Sequence, residues 1–395
     1  MLQRLIHSAR MNVFESARFY YWVLIVLTFH LIARHSLIKI LLVNGGTEWF
    51  ASKVFTGILY TIAYGACLLS AVVLRKKISF LFLNSWIVIF LLSLISEVIF
   101  VFETDQYNFV ESFTNGKGLT NVRITFPLIF LGVFKALDNS FVYSQKFLNL
   151  IQTVFIINSC LIISGVLFEI PVFESYPGSS RWGYSGVLNR GAYVVISTVL
   201  LIGTFRGHIM YVKPALLFVS LFFIGTKASI LSLVLFIFLF LIKSYKTRFW
   251  LLCSLLIILL FFPKKILNIL IIAPFWMQVY LDHGVWGLLF SLRNESFIDF
   301  IDIVKNDYSL IDLFFGGRIH GEYFRVEMLP VDLFIFYGIT GVITFFIFYL
   351  KWLKSWVAAI PLLVAFGSGS LTVSALTYII WGVWVNKLNG TSKSF

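Results

Sequence analysis

Apolar runs long enough to cross a lipid bilayer recur along this chain, separated mostly by short polar breaks. A helix needs about 20 apolar residues to cross a hydrocarbon core of roughly 30 Å. On that measure the runs predict spans at 20–42, 53–74, 78–102, 123–138, 147–168, 190–205, 212–225, 227–242, 249–262, 329–350, 356–369 and 371–386. The runs 123–138, 212–225 and 249–262 are short, so thinned, tilted or broken helices are expected there. The pattern predicts an all-α polytopic membrane protein of about twelve transmembrane helices, range roughly 10–13. A single transmembrane domain, 1–395, is expected.

Three breaks are long: 103–122, 169–189 and above all 263–328. Loops beyond about 12–15 residues are usually functional or disordered. The last one is apolar enough to fold. Phe297, Ile298, Ile301 and Val304 recur at helical spacing, with Asp299, Asp302 and Asn306 on other faces. Residues 295–306 therefore predict an amphipathic helix, and 266–281 a second one lying at the membrane interface. Trp352, Trp356, Trp381 and Trp384 fall near span ends and read as interfacial belts. No internal duplication is visible, so a transporter built from two similar halves gains no support.

Composition excludes the alternatives. The 395 residues are 59% hydrophobic and 12% charged, with mean hydropathy +0.93. A soluble chain carries roughly 25% charged residues, and this one is far too apolar for disorder. Cys67, Cys160 and Cys253 all sit in apolar runs, which leaves no disulfide framework or CxxC metal motif. Arg4, Arg10 and Arg18 precede a full-length first span, so no cleavable signal is expected.

The formal charge of +13 would point to nucleic acid in a soluble protein. Its distribution points elsewhere. With the N-terminus inside, the inner segments 1–19, 75–77, 135–146, 206–213, 243–248, 351–355 and the tail hold 17 of the 31 Lys and Arg, and only Glu15 and Asp138 of the 18 acids. That is +15 inside and −2 elsewhere, as the positive-inside rule demands. Both termini are then cytoplasmic, and a nucleic-acid partner loses its support.

The outer charges oppose this bias and so need a separate explanation. Arg123, Arg181, Arg190, Arg293, Arg318 and Arg325 lie on outer segments, with Lys227 in a tight turn. Guanidinium groups bind phosphate and diphosphate bidentately; the alternative is snorkelling anchors and loop salt bridges. On the first span His30 and Arg34 stand one turn apart, Arg34 reaching the outer interface or facing a hydrated cavity.

Three segments carry a resemblance to a family. Arg181-Trp182-Gly183-Tyr184-Ser185-Gly186 followed by Asn189 resembles the Arg-x-x-Gly…Asn pattern of bacterial O-antigen and capsule polymerases. Gly225-Thr226-Lys227-Ala228-Ser229 looks like that family's Thr-x-Ser-Arg turn, with Lys227 where Arg is usual. Arg293 to Gly341, through Leu313-Phe314-Phe315-Gly316-Gly317, Glu327, Asp332 and Tyr337-Gly338-Ile339-Thr340-Gly341, is similar to the large outer loop and following helix of the O-antigen polymerase and ligase superfamily.

The resemblance implies a GT-C-type membrane glycosyltransferase in a bacterial inner membrane, with its active site facing the periplasm or outside. Loop 263–328 would be the large periplasmic or extracellular loop. It implies an undecaprenyl (polyprenyl) diphosphate-linked oligosaccharide as substrate and a chain-length regulator as a possible protein partner. It implies neither nucleotide sugar nor metal, and no cofactor. Such a transfer needs charge stabilisation on the departing diphosphate and a base for the acceptor hydroxyl. Arg181, Arg293 and Arg318 are the leading phosphate ligands, with Arg190, Lys227, Arg325 and Arg34 behind them, and the amides of Gly316 and Gly317 could approach the phosphate or simply make a turn. Glu327 is the leading base, or a salt-bridge partner of Arg325 or Arg318, with His320 as runner-up. Gly338 stands where the ligase branch usually carries a catalytic His, a departure that argues against a ligase. The function expected is therefore a repeat-unit polymerase. The alternatives are a ligase acting on lipid A core, and a flippase for the same lipid-linked glycans.

Overall fold

The computed structural model describes residues 16–44, 53–104, 117–177, 183–205, 212–237, 277–284, 293–316, 326, 328–366 and 374–391. Of these, 86% are helical and none forms a strand. The described helices are α1 (Ala17–Val43), α2 (Lys53–Val73), α3 (Phe80–Thr104), α4 (Lys117–Ala136), α5 (Ser140–Phe168), α6 (Arg190–Phe205), α7 (Val212–Phe223), α8 (Lys227–Phe236), α9 (Arg293–Asp307), α10 (Leu310–Phe315), α11 (Leu329–Trp352), α12 (Trp356–Phe366) and α13 (Ala375–Thr391). Residues 277–284 are helical as well. By length and composition α1, α5 and α11 can each cross a membrane, and several shorter helices are also apolar. The fold is that expected of a membrane protein. The predicted span 249–262 and most of the predicted helix 266–281 lie outside the described residues.

Helix limits follow the apolar runs where the run and the helix end together. The run 190–205 and α6 coincide. In α4 they part: the helix begins at Lys117, ahead of the predicted 123, because its first turns are polar. Helix α7 has 12 residues, a rise of about 18 Å, well short of a hydrocarbon core.

The chain divides into two compact units, one of Met1–Arg34, Trp49–Thr153 and Phe300–Phe395, the other of His35–Glu48 and Val154–Asp299. In the first, α4 packs against α2, α3 and α13. Every residue from Ile124 to Phe134 is buried, as expected of a helix apolar all round. Beside it, α11 packs on α3 and α10. Helix α11 is broken at Gly338 (φ 60°, ψ −166°). The Ser96 hydroxyl of α3 donates to the Phe336 carbonyl at 2.7 Å, next to that break.

Two expectations fail. Trp352, Trp381 and Trp384 are buried rather than belted at an interface. The Trp352 indole donates to Asn386 Oδ1 (3.0 Å) and the Trp381 indole to the Ala358 carbonyl (3.1 Å), the partners a buried indole needs. The side chain of Trp356 is outside the described set. Helix α9 forms close to the predicted limits, but its buried residue is Phe300, stacked edge-on to Phe334 and Tyr308. Phe297 and Ile298, assigned to the apolar face, are 39% and 55% exposed.

In the second unit α6, α7 and α8 pack together, and the Tyr193 hydroxyl of α6 links Ser159 of α5 to Ser220 of α7. That oxygen lies 2.6 Å from Ser159 Oγ and 2.7 Å from Ser220 Oγ, while the ring stacks on Phe155. The three hydroxyls satisfy one another, which makes their burial tolerable.

Candidate functional site

The second unit gathers two of the three sequence segments singled out above. Helix α5 ends at Phe168, and the chain returns through a 3-10 turn at Pro171–Phe173. Two arms then pair: Ser175 N–H donates to the Gly183 carbonyl (2.8 Å), and Ser185 N–H to the Phe173 carbonyl (2.9 Å). The second of these arms carries Gly183 to Gly186. Arg181 and Trp182 lie outside the described residues.

This loop sits on the turn Ile224–Thr226 that joins α7 to α8. Tyr184 N–H donates to the Phe223 carbonyl (2.8 Å) and Ser175 Oγ–H to the Ile224 carbonyl (2.9 Å). At Gly183 the approach is so close that a Cβ would collide with the Ile224 carbonyl; only glycine fits. Residues some 40 positions apart in sequence thus form one scaffold.

Several motif residues prove to be helix caps. Asn189 Oδ1 accepts from the amides of Gly191 (3.0 Å) and Ala192 (3.3 Å) at the start of α6. Thr226 Oγ1 accepts from Ser229 N–H (3.2 Å) and the Ser229 hydroxyl donates to the Thr226 carbonyl (2.6 Å). Such bonds satisfy amides that a helix start leaves open. The Thr-to-Ser spacing is thereby explained, and Lys227 is the first residue of α8, not part of a tight turn.

Arg190 opens α6. Its guanidinium carbon stands 4.1 Å from the centre of the Tyr176 ring, and Nη1–H donates to the Ser175 carbonyl at 3.3 Å. Ser175 therefore touches both candidates' supports: its carbonyl accepts from Arg190 and its hydroxyl holds the turn before Lys227.

Sequence reasoning passed over Lys39, whose apolar neighbours conceal it. It lies near the end of α1 and is 8% exposed, with Nζ donating to Ser185 Oγ (2.7 Å) and the Gly186 carbonyl (2.5 Å). A lysine inside an apolar span is the available signal, since such residues are rare and usually functional. From α5, Asn158 holds the same turn: Nδ2–H donates to the Ser185 carbonyl (3.0 Å) and Oδ1 accepts from Val187 N–H (2.9 Å). Burial holds the Glu174 carboxyl above its ordinary range, with Lys39 pulling the other way. The Tyr184 phenol is raised by burial and by the charges of Glu174 and Glu169.

Arg293 is the first residue of α9 and is half-buried; in the same first turn Glu295 pairs with His283 Nδ1 at 2.5 Å. In the other unit Arg34 is half-exposed on α1. Asp332 is fully buried and its Oδ1 accepts from Val326 N–H at 3.2 Å. The Gly316 amide, offered above as a phosphate donor, instead donates to the Asp312 carbonyl at 2.7 Å, ending α10. That glycine packs on Gly338, so Leu313–Gly316 and Tyr337–Gly338 are neighbours. Arg318, His320, Arg325 and Glu327 lie outside the described residues.

Compared with protein-family models, curated proteins and solved structures, the chain finds no match.

Proposed function

We propose that this protein is a polysaccharide repeat-unit polymerase of a bacterial inner membrane. In this reading about twelve GT-C-type helices span the bilayer, both termini are cytoplasmic, and the reaction faces outward. A growing glycan moves from one polyprenyl diphosphate to a sugar hydroxyl of a second lipid-linked repeat. The bond from anomeric carbon to diphosphate oxygen breaks as the new glycosidic bond forms. Arginines take up the charge left on the diphosphate, and a base, Glu327 first among the candidates, takes the acceptor proton.

One observation carries the reading. The segments 183–189 and 225–229, picked out by resemblance, lie against each other at Gly183 and Gly225, and Ser175 links their edges, its carbonyl accepting from Arg190 and its hydroxyl donating to the Ile224 carbonyl. The long apolar helices agree with it.

The test is polymerisation by the purified chain in vesicles supplied only with undecaprenyl-diphosphate-linked repeats. Longer lipid-linked glycans are expected. Arg181→Ala, Arg190→Ala, Arg293→Ala and Glu327→Gln should each lower their amount or length, and wild-type behaviour of all four would end the site assignment. Bond formation only with added lipid A core would make the protein a ligase. Glycan crossing the bilayer without any new bond would make it a flippase.

A further inference from the structure

Lys39 is the one buried cation among the described residues that the proposed chemistry leaves unused. An ammonium taken from water must be hydrogen-bonded or paired, or it neutralises. Here, among the described residues, no carboxylate stands within ion-pair distance, and the Nζ acceptors are neutral groups of one turn, Ser185 and Gly186. A methionine of similar length would pack in an apolar span without this difficulty. What the lysine adds is a tie between the end of α1 and that turn.

The turn in its place sets the start of α6. Asn158 closes it from α5 through Ser185 and Val187. Two residues later Asn189 caps α6, and the next residue is Arg190. The guanidinium is then held against Tyr176 and the Ser175 carbonyl; among the described residues these occupy its face and one N–H and leave others for an anion. A shift of the turn shifts the start of α6 and Arg190 with it.

We infer that Lys39 is a positioning residue, fixing the Ser185–Gly186 turn so that the Arg190 guanidinium is set to receive a diphosphate. The inference rests on the polymerase reading for the identity of its substrate, a polyprenyl diphosphate. Lys39 itself reaches no substrate; it acts through Arg190.

Full-length protein in detergent is titrated with farnesyl diphosphate, and the same variants are assayed for polymerisation in vesicles. Arg190→Ala and Lys39→Met should each weaken binding about tenfold, and the double variant should be no weaker than Arg190→Ala, since coupled residues are not additive. In polymerisation the Lys39→Met loss should fall on KM rather than kcat, whereas loss of folded protein would lower kcat and leave KM alone. Ser185→Ala deletes one acceptor with little change of volume; it should give a smaller loss in the same direction and carries the test if Lys39→Met does not fold.

Additive losses in the double variant, or wild-type binding and KM in both Lys39→Met and Ser185→Ala, overturn the inference. If those variants match wild type while polymer forms, the inference falls and the polymerase reading stands. If wild type binds farnesyl diphosphate, the variants weaken it and no polymer forms, the inference stands and the polymerase reading falls. Absence of binding by wild type removes Arg190 as the anion ligand and the inference with it.

Discussion

Gly316 and Gly338 lie backbone against backbone, each in a conformation open essentially to glycine alone: φ 68°, ψ −162° at the end of α10, and φ 60°, ψ −166° within α11. A Cβ on Gly316 would fall 2.7 Å from the Gly338 nitrogen, and one on Gly338 would fall 2.5 Å from the Phe314 oxygen. The end of α10 closes on the break in α11 because neither residue has a side chain.

Alanine at either position should therefore destabilise the protein severely. Strain in this region costs about 1–3 kcal/mol, and overpacking against backbone adds roughly 1–3 kcal/mol. Thermal unfolding of detergent-purified Gly338→Ala and Gly316→Ala should show a clear drop in midpoint. A midpoint equal to wild type would mean the two glycines do not set the break.

Asn158 offers a second test, of hydrogen bonding rather than space. Asn158→Ala strands the buried Ser185 carbonyl and the half-buried Val187 amide together, a fully buried orphan costing about 1–3 kcal/mol and a half-buried one less. Denaturant unfolding should register a loss of roughly 2–4 kcal/mol, with hydrogen exchange at Val187 quickened. Unaltered exchange there would show that the turn holds without Asn158.

For Tyr193 the ring and the hydroxyl should separate. In Tyr193→Phe, Ser159 and Ser220 still have each other at 3.1 Å, so the loss should be about 1 kcal/mol. Tyr193→Ala also empties the volume stacked on Phe155 and should cost about 3–5 kcal/mol. Equal losses in the two variants would contradict the self-satisfied hydroxyl group.

Glu174 makes stability depend on pH with a definite sign. Its folded-state carboxyl is raised above the ordinary 4.5 by burial, despite Lys39. Between that value and the raised one the folded protein holds more proton than the unfolded chain, so this group's contribution falls as pH rises through the window, then levels off. Glu174→Gln, a neutral mimic, should remove the slope, its stability relative to wild type growing with pH across the window. A difference that is flat with pH, or grows as pH falls, would refute the assignment to burial.

Periodicity and run length found most helices because each is a local property of the chain. α6 and α9 emerged nearly at their limits. What they missed depends on neighbours distant in sequence. Hydropathy averages Lys39 into its apolar run, and its meaning lies in a turn 146 residues on. The tryptophans of α11 and α13 look identical at a lipid interface and between helices; their exposure decides, and pattern does not carry it. The break at Gly338 answers to Gly316, 22 positions earlier. Of the candidate site, the sequence marked Arg190, Asn189 and the 225–229 turn, but not that the asparagine and the threonine are caps.

Helix α4, with Ile124 to Phe134 buried without interruption and neighbours in α2, α3 and α13, has no side on which a change goes unfelt. On α1 the exposed Trp22, Val26, Phe29, Leu37 and Ile40 alternate with buried positions. Accepted mutations should thus recur rhythmically along α1, and along α4 should be uniformly scarce, a helix whose evolutionary record has no period.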